Sequence, residues 1–363
     1  RSVSGSEIIS SNSKTSYNGN YGLNASWTLY NGNKRLKTIQ QEKLNNQMAE
    51  LDVATSENNI QESIAQVYIQ ILYAAESVKV NENTLQVSIA QRDRGQELLN
   101  AGSIAKSDLA QLEAQVSTDR YQLVTAQATL EDYKLQLKQL LELDGENEMN
   151  IYLPALSDEN VLAPLPTKRD VYISALSLRP EIEASKLNVE ASELGINIAK
   201  SSYFPTISLS AGIGTNHTSG SDFTFGEQVK NGWNNSIGLS VSVPIFNNRQ
   251  TKSAVQKAKL QYETSMLSLL DEQKALYKTI ESLWLDANSA QQRYAAANEK
   301  LKSTQISYEL ISEQFNLGMK NTVELLTEKN NLLQAQQEQL QAKYMAILNT
   351  QLLKFYQGDQ LAI

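Results

Sequence analysis

Apolar and polar positions alternate in two different rhythms along this chain, and the rhythms come in the same order twice. In three short segments the period is two. Tyr21, Leu23, Ala25, Trp27 and Leu29 fall on one face of the first, opposite Asn20, Gly22, Asn24, Ser26 and Thr28. The second sets Ile207, Leu209, Ala211 and Ile213 against Thr206, Ser208, Ser210, Gly212 and Gly214. The third sets Ile237, Leu239, Val241, Val243 and Ile245 against Ser236, Gly238, Ser240 and Ser242. This alternation predicts half-buried antiparallel strands. Their second faces carry small polar residues, where a water-exposed sheet usually carries Lys, Glu and Arg. Such faces fit a lumen lined by strands whose apolar side meets lipid; a sandwich packed on a core shows the same alternation.

Elsewhere the period is helical. Between Asn33 and Asn100, Ile60, Ile64, Val67, Ile71, Ala74, Val78, Leu85 and Ile89 follow a 3-4 spacing interrupted at Glu82, along what would be about 100 Å of helix. After the segment Ala101 to Ser107 the spacing resumes at Leu109, Leu112, Val116, Leu123, Ala126, Leu130, Tyr133, Leu137 and Leu140. A second pair repeats this. Ile280, Leu283, Ala287, Ala290, Tyr294, Ala297, Leu301, Tyr308, Ile311 and Phe315 precede a turn at Leu317 to Lys320, and Leu326, Leu333, Leu340, Tyr344 and Ile347 follow it. Such seams predict antiparallel coiled-coil hairpins. Outside the seams Gln, Asn, Ser and Ala dominate, so much of each helix touches water, as a free stalk or as the wall of a hollow cylinder.

The two halves align residue by residue. Asn20 to Asn31 falls without a gap on Ser236 to Asn247, 216 positions on, and the same offset carries Glu97, Asn100, Gly102, Asp108 and Leu109 onto Glu313, Asn316, Gly318, Glu324 and Leu325. A period this long exceeds a solenoid unit of roughly 20 to 50 residues and marks a duplicated structural half. The second half has a helical segment, Pro180 to Ser201, ahead of its first strand. Its counterpart is expected before Arg1, within a preceding stretch of roughly 50 or more residues.

Composition narrows the picture. All six prolines lie between Pro154 and Pro244, leaving the long helical stretches unbroken and making short helices around Pro154, Pro164, Pro166 and Pro180 the connection between halves. The net charge of -8 on 363 residues offers no basic stripe for nucleic acid. With no cysteine there is no disulfide framework and no thiolate nucleophile. There is no run of about 20 apolar residues, the length a membrane-crossing helix needs. Tilted strands of about 10 residues do cross the apolar band of an outer membrane. Three strands, or four with the one expected before Arg1, cannot close a barrel, and lipid tolerates no open edge. Three copies of four strands close one of about 12 strands. Serine-, glycine- and asparagine-rich segments, Arg1 to Thr15 and Asn216 to Asn231, read as long exposed connections, with Trp27 and Trp233 as candidate interface anchors.

Strand, long helix, tight glycine turn and return helix, all duplicated, resemble the TolC family of outer-membrane efflux proteins. The matching patterns are Gly22 to Gly32, Leu178-Arg-Pro-Glu181, Tyr203 to Ala211, Gly102 followed by Asp108, Gly318 followed by Glu324, and the terminal Phe355-Tyr-Gln-Gly358. The resemblance implies a mainly α fold with a small β part, namely a TolC-like trimeric α/β-barrel with long antiparallel coiled-coil hairpins and four strands per protomer, the first truncated. The expected division is a barrel part in 1–32, a periplasmic hairpin in 33–143, an equatorial connection in 144–202, a second barrel part in 203–247, a second hairpin in 248–356 and a tail in 357–363. The implied function is a passive exit duct in a Gram-negative outer membrane. It would pass drugs, ions or other exported substrates from an inner-membrane pump of the RND type through a periplasmic adaptor, a membrane fusion protein. The competing class is a periplasmic coiled-coil scaffold or adaptor without a pore.

In such a duct chemistry concentrates at the gate. The resemblance places Glu324 at an aperture, with Thr327 where some members carry a second acid. It makes Asp108 and Lys320 a link across neighbouring coils, with Phe315 where some members have a tyrosine. Each charge is equally what a solvated helix surface carries. The turn residues Ala101, Gly102, Ser103, Ile104, Leu317, Gly318 and Met319 are the implied adaptor contacts, although helix-turn chemistry alone explains the glycines. Leu23, Trp27, Leu29, Leu209, Leu239, Val241 and Val243 are expected to face lipid. His217, the only histidine, has no second ligand for a metal and no catalytic partner, and Gly212-Ile-Gly214 lacks the strand-turn-helix setting of a nucleotide fingerprint. No enzyme, metal or cofactor is indicated.

Overall fold

The strand-to-helix junctions show the duplication in the backbone itself. In the computed structural model, which describes residues 16–143, 151–152 and 161–361, Gly32 and Asn33 take positive φ values of 65° and 63°, and Asn248 and Arg249, 216 positions on, take 53° and 62°. At Gly32 a β-carbon would also come within 2.7 Å of the Ser201 carbonyl oxygen, so glycine alone fits there. The elements are β1 (Asn18–Asn31), α1 (Lys34–Asn100), α2 (Lys106–Leu140), α3 (Lys168–Leu178), α4 (Pro180–Lys200), β2 (Thr206–Thr218), α5 (Phe225–Asn231), β3 (Asn234–Ser242), α6 (Gln250–Asn316) and α7 (Thr322–Gln357). Both long outgoing helices have 67 residues. Their ends, and the starts of the return helices, differ by the same 216.

The chain forms two compact units. One, residues 1–46 and 187–266, holds an antiparallel sheet in the order β1-β2-β3. Beside it the N-terminal parts of α1 and α6 are tied to α4: Gln41 donates to the Ala191 carbonyl at 2.8 Å, and the Ser192 and Ser265 hydroxyls lie 2.8 Å apart. Three strands are present among the described residues. β3 ends at Ser242 instead of running to Ile245, because Pro244 has no N–H to give to a ladder. The expected open loop from Asn216 to Asn231 is also different: β2 continues to Thr218, and Thr224 caps the short helix α5 by exchanging hydrogen bonds with Glu227. That capping box satisfies amides that a loop would leave to water. The expected loop Arg1 to Thr15 lies outside the described residues.

The other unit, 47–186 and 267–363, holds the hairpins. Ile69 and Leu72 of α1 pack with Tyr294 of α6 and with Leu340 and Tyr344 of α7. A second cluster joins Val171 and Ala175 of α3 and Ile182 of α4 to Ile280, Leu353 and Tyr356. Thr167 caps α3 by accepting from the Asp170 amide, and Pro180 starts α4 in its first turn, where an N–H has no partner within the helix. Ile60, expected in the seam, is exposed, and burial along α1 begins at Ala65.

Candidate functional site

Two regions carry features that packing alone does not require, and the first is the sheet. Its register sets Leu23 opposite Ile213, Trp27 opposite Leu209, Leu209 opposite Leu239, and Ile207 opposite Val241. One face is therefore apolar across all three strands. It is uncovered: Ile237, Leu239 and Val241 are 85%, 66% and 60% exposed. Leu23, Trp27 and Leu29 are exposed as well, as is Val243 just beyond β3, while Leu209 in the central strand is half-buried. The register shifts between Thr28 and Tyr30, leaving Leu29 at the irregularity and Tyr30 opposite Ile207. On the other face Ser26, Ser210 and Gly238 form one uncharged row, and Thr28, Ser208 and Ser240 another. Among the described residues β1 and β3 each pair only with β2, so both sheet edges are open.

Exposed aromatics bracket this face. Where the strands meet helices stand Tyr30, Tyr203, Phe204 and Phe246, and at the far end stand Tyr17, Tyr21, Phe223, Phe225 and Trp233. Phe225 of α5 sits edge-on against Tyr21 at 6.3 Å and His217 at 5.0 Å. Tyr21 belongs to the apolar row and His217 shares its side of β2, so Phe225 of α5 touches the outer end of that otherwise uncovered face. Among the described residues no group of His, Asp and Glu could hold a metal, and no helix is long and apolar enough to cross a membrane.

The hairpin tips are the second region. In each turn a glycine takes the left-handed conformation, Gly102 at φ 75° and Gly318 at φ 74°. Ser103 donates back to the Leu98 carbonyl, and Met319 to that of Gln314, which closes a Schellman motif on each outgoing helix. Asp108 and Glu324 then play one part in the two copies. The Asp108 carboxylate accepts from the Ala105 amide at 3.0 Å, and that of Glu324 from the Asn321 amide at 3.2 Å. Glu324 also accepts from the Lys320 ammonium at 2.5 Å; that bond, followed by the Asn321 amide, holds its carboxyl below the usual range. Leu317, Met319, Ala101, Gly102, Ser103 and Gly318 are exposed, and Ile104 is half-buried. Phe315 is buried, and Thr327 returns its hydroxyl to the Val323 carbonyl. The structure thus brings Lys320 to Glu324, and it pairs Asp108 with its own helix end.

Residues that the seam pattern passed over stand deeper in the hairpins. Ser88 of α1, Asp119 of α2 and Lys329 of α7 are 2%, 2% and 4% exposed. The Lys329 ammonium donates to the Asp119 carboxylate and the Ser88 hydroxyl, and Ser88 donates to Asp119. Gln115 donates to the remaining Asp119 oxygen at 2.9 Å. Burial lowers the Lys329 pKa, with Asp119 opposing it. The signal was present: Leu109, Leu112, Val116, Asp119 and Leu123 keep one 3-4 line, so Asp119 stands where the pattern asks for an apolar residue. Nearby, Gln91 of α1 donates to the Tyr308 hydroxyl of α6 at 2.8 Å.

The Leu178-Arg-Pro-Glu181 motif serves as an anchor. Arg179 donates to Glu181 at 2.8 Å and with two nitrogens to Glu62 of α1 at 3.3 Å, and it stacks on Tyr356 at 4.2 Å. Burial raises the Glu62 pKa against the pull of Arg179 and Tyr356, and the nearby Glu181 carboxylate adds to the rise.

Comparison with known proteins agrees with this architecture. The family profile described as outer membrane efflux protein matches residues 1–142 and 171–358. The outer membrane efflux protein BepC of Brucella suis biovar 1 (strain 1330) is 24% identical over 294 residues, 80% of this chain and 61% of that protein. The outer membrane protein TolC of Escherichia coli (strain K12) is 24% identical over 294 residues, 78% of this chain and 58% of that one. The chain thus spans about three fifths of the length of these curated relatives. Among solved structures, CusC superposes with a TM-score of 0.81 at 20% identity, covering 98% of this chain and 81% of that one. The outer-membrane channel OprN superposes with a TM-score of 0.76 at 18% identity, covering 94% and 79%.

Proposed function

The chain belongs to the outer membrane efflux protein family, and from that premise we propose that it is one protomer of a homotrimeric exit duct. It resides in the outer membrane with its helical part in the periplasm. The observation that carries the reading is the sheet: an apolar face uncovered across three strands, aromatics at both of its ends, and two open edges. Lipid is the solvent for such a face, and neighbouring copies supply partners for the edges. Leu23, Trp27, Leu29, Leu209, Leu239, Val241 and Val243 then face the membrane, and the uncharged serine and threonine rows line the pore.

The hairpins form the periplasmic part of the duct, and their tips form its gate and its docking end. Glu324, Thr327, Asp108, Lys320 and Phe315 belong to the gate region. The small exposed turns at Ala101 to Ile104 and Leu317 to Met319 receive a periplasmic adaptor joined to an RND-type pump. The duct is passive and performs no catalysis of its own. A periplasmic scaffold with its strands in a sandwich fits less well, since among the described residues no second sheet covers the apolar face. Planar-bilayer recording with the purified full-length protein tests the proposal. Trimers that insert and give discrete conductance steps are expected, and a protein that stays monomeric and soluble without detergent would refute it.

A further inference from the structure

We propose that the Ser88–Asp119–Lys329 cluster is a pivot: the two hairpins of a protomer stay locked in register at its level, and opening of the tips bends only the helix beyond it. The proposal rests on the duct reading for its meaning and on buried geometry for its mechanics. Three helices contribute, two from the first hairpin and one from the second; Asp119 and Lys329 stand where the 3-4 line otherwise places an apolar side chain, and Ser88 is buried beside Leu85 in the α1 seam. Both Asp119 oxygens are satisfied, one by Lys329 and Ser88 and the other by Gln115, so the network is closed and specifies one alignment of the hairpins.

The lock is also one-sided. The positions 216 away from Ser88 and Asp119 are Thr304 and Ala335, and that before Lys329 is Glu113; Ala335 is buried and carries no charge. The cluster is therefore no by-product of the duplication. It joins unlike hairpins, with the acid on the first and the base on the second.

Energetics separates this level from the tip. Pulling the pair apart strands each charge in a dry seam, which makes the separated state at least about a hundredfold rarer. The tip charges are half-exposed, reach water and are bonded within their own hairpin ends, and a pair screened by water shifts a population by about fivefold at most. From Lys329 to Gly318 is about 16 Å of chain at helical rise, and from Ser88 to Gly102 about 21 Å. That is the length free to open.

These residues hold no cysteine, so cysteine pairs for spin labels can be introduced at chosen positions of the full-length protein, any cysteine outside them being replaced by serine, with labelled chains diluted into unlabelled ones. Ala101 with Leu317 reports on the tips, and Val124 with Gln334 on the helices on the side of the cluster away from the tips; all four are exposed. In Lys320→Ala/Glu324→Gln the Val124–Gln334 distances are expected to match the parent. In Asp119→Leu/Lys329→Met, which removes both charges and keeps helix content, they are expected to lengthen along with the tip distances. The exchanged pair Asp119→Lys/Lys329→Asp is expected to restore the parental distances, a rescue that packing alone would not give. A shift at Val124–Gln334 in the tip variant, or none in the apolar variant, overturns the pivot. Absence of conductance in the parent would instead sink the duct reading and leave the distance test standing.

Discussion

Replacing Arg179 by methionine keeps the aliphatic bulk of the side chain and removes its charge. Arg179 is 7% exposed and is the cation that Glu62 and Glu181 share, so the variant leaves two half-buried carboxylates without their cation, Glu62 keeping only its bond to Tyr356. Breaking a buried pair from one side costs about 3–5 kcal/mol. The loss should depend on pH in a defined direction. Burial already holds the Glu62 pKa above its ordinary 4.5, so the folded protein binds more protons than the unfolded chain in the window above that value. Stability from this group is complete below about 4.5 and is lost as pH rises through the folded value. Without Arg179 the folded value climbs further, and the deficit of Arg179→Met is expected to be full at pH 8 and smaller at pH 5. Guanidinium unfolding of the detergent-solubilised protein, followed by helical circular dichroism at both pH values, measures it. Equal midpoints for variant and parent at pH 8, or a deficit identical at both pH values, would refute the reasoning.

Two further expectations bear on the tip and the membrane. Because Lys320 neutralises Glu324 in the same turn, Glu324→Gln should move ion selectivity toward anions and Lys320→Ala toward cations; reversal potentials under a salt gradient report both, and no movement in either variant would place the pair away from the pore. Leu239→Lys puts a charge on the exposed apolar face and should cost about 2–4 kcal/mol if that position lies near the bilayer midplane, read as reduced recovery of folded protein from outer membranes; parental recovery would count against lipid at that face.

Much of this architecture was legible because it is periodic. Alternation in Tyr21 to Leu29 and Ile207 to Ile213 needs only the sequence, and the 216-residue offset predicted helix limits that recur at Lys34 and Gln250, Asn100 and Asn316. What escaped was either too short or too long-range for a period. α5 spans seven residues, under two turns, and its sign is a capping pair, Thr224 with Glu227, inside a polar stretch. Asp119 sits in plain view on the seam of α2, yet Glu82 also interrupts a seam and is exposed. Which interruption is buried depends on how the hairpins pack, and no single helix encodes that. Arg179 was visible as part of a motif, but its partners Glu62 and Tyr356 lie over a hundred positions away on either side.

The duplication itself shows where function has to be asymmetric. A conduit that opens needs hairpins able to move relative to one another, and two identical hairpins offer no preferred mover. At the tips the copies remain alike where it was natural to look for difference: Asp108 and Glu324 both cap a return helix, and Gly102 and Gly318 make the same turn. Lys320 departs from its counterpart Ile104, but it spends its charge on Glu324 one turn away. The copies part in the buried seam, where buried Asp119 corresponds to buried Ala335 and buried Lys329 to exposed Glu113. A surface charge can drift between copies at little cost. A buried one persists only with its partner, so the seam records a division of labour between hairpins more faithfully than the tips do.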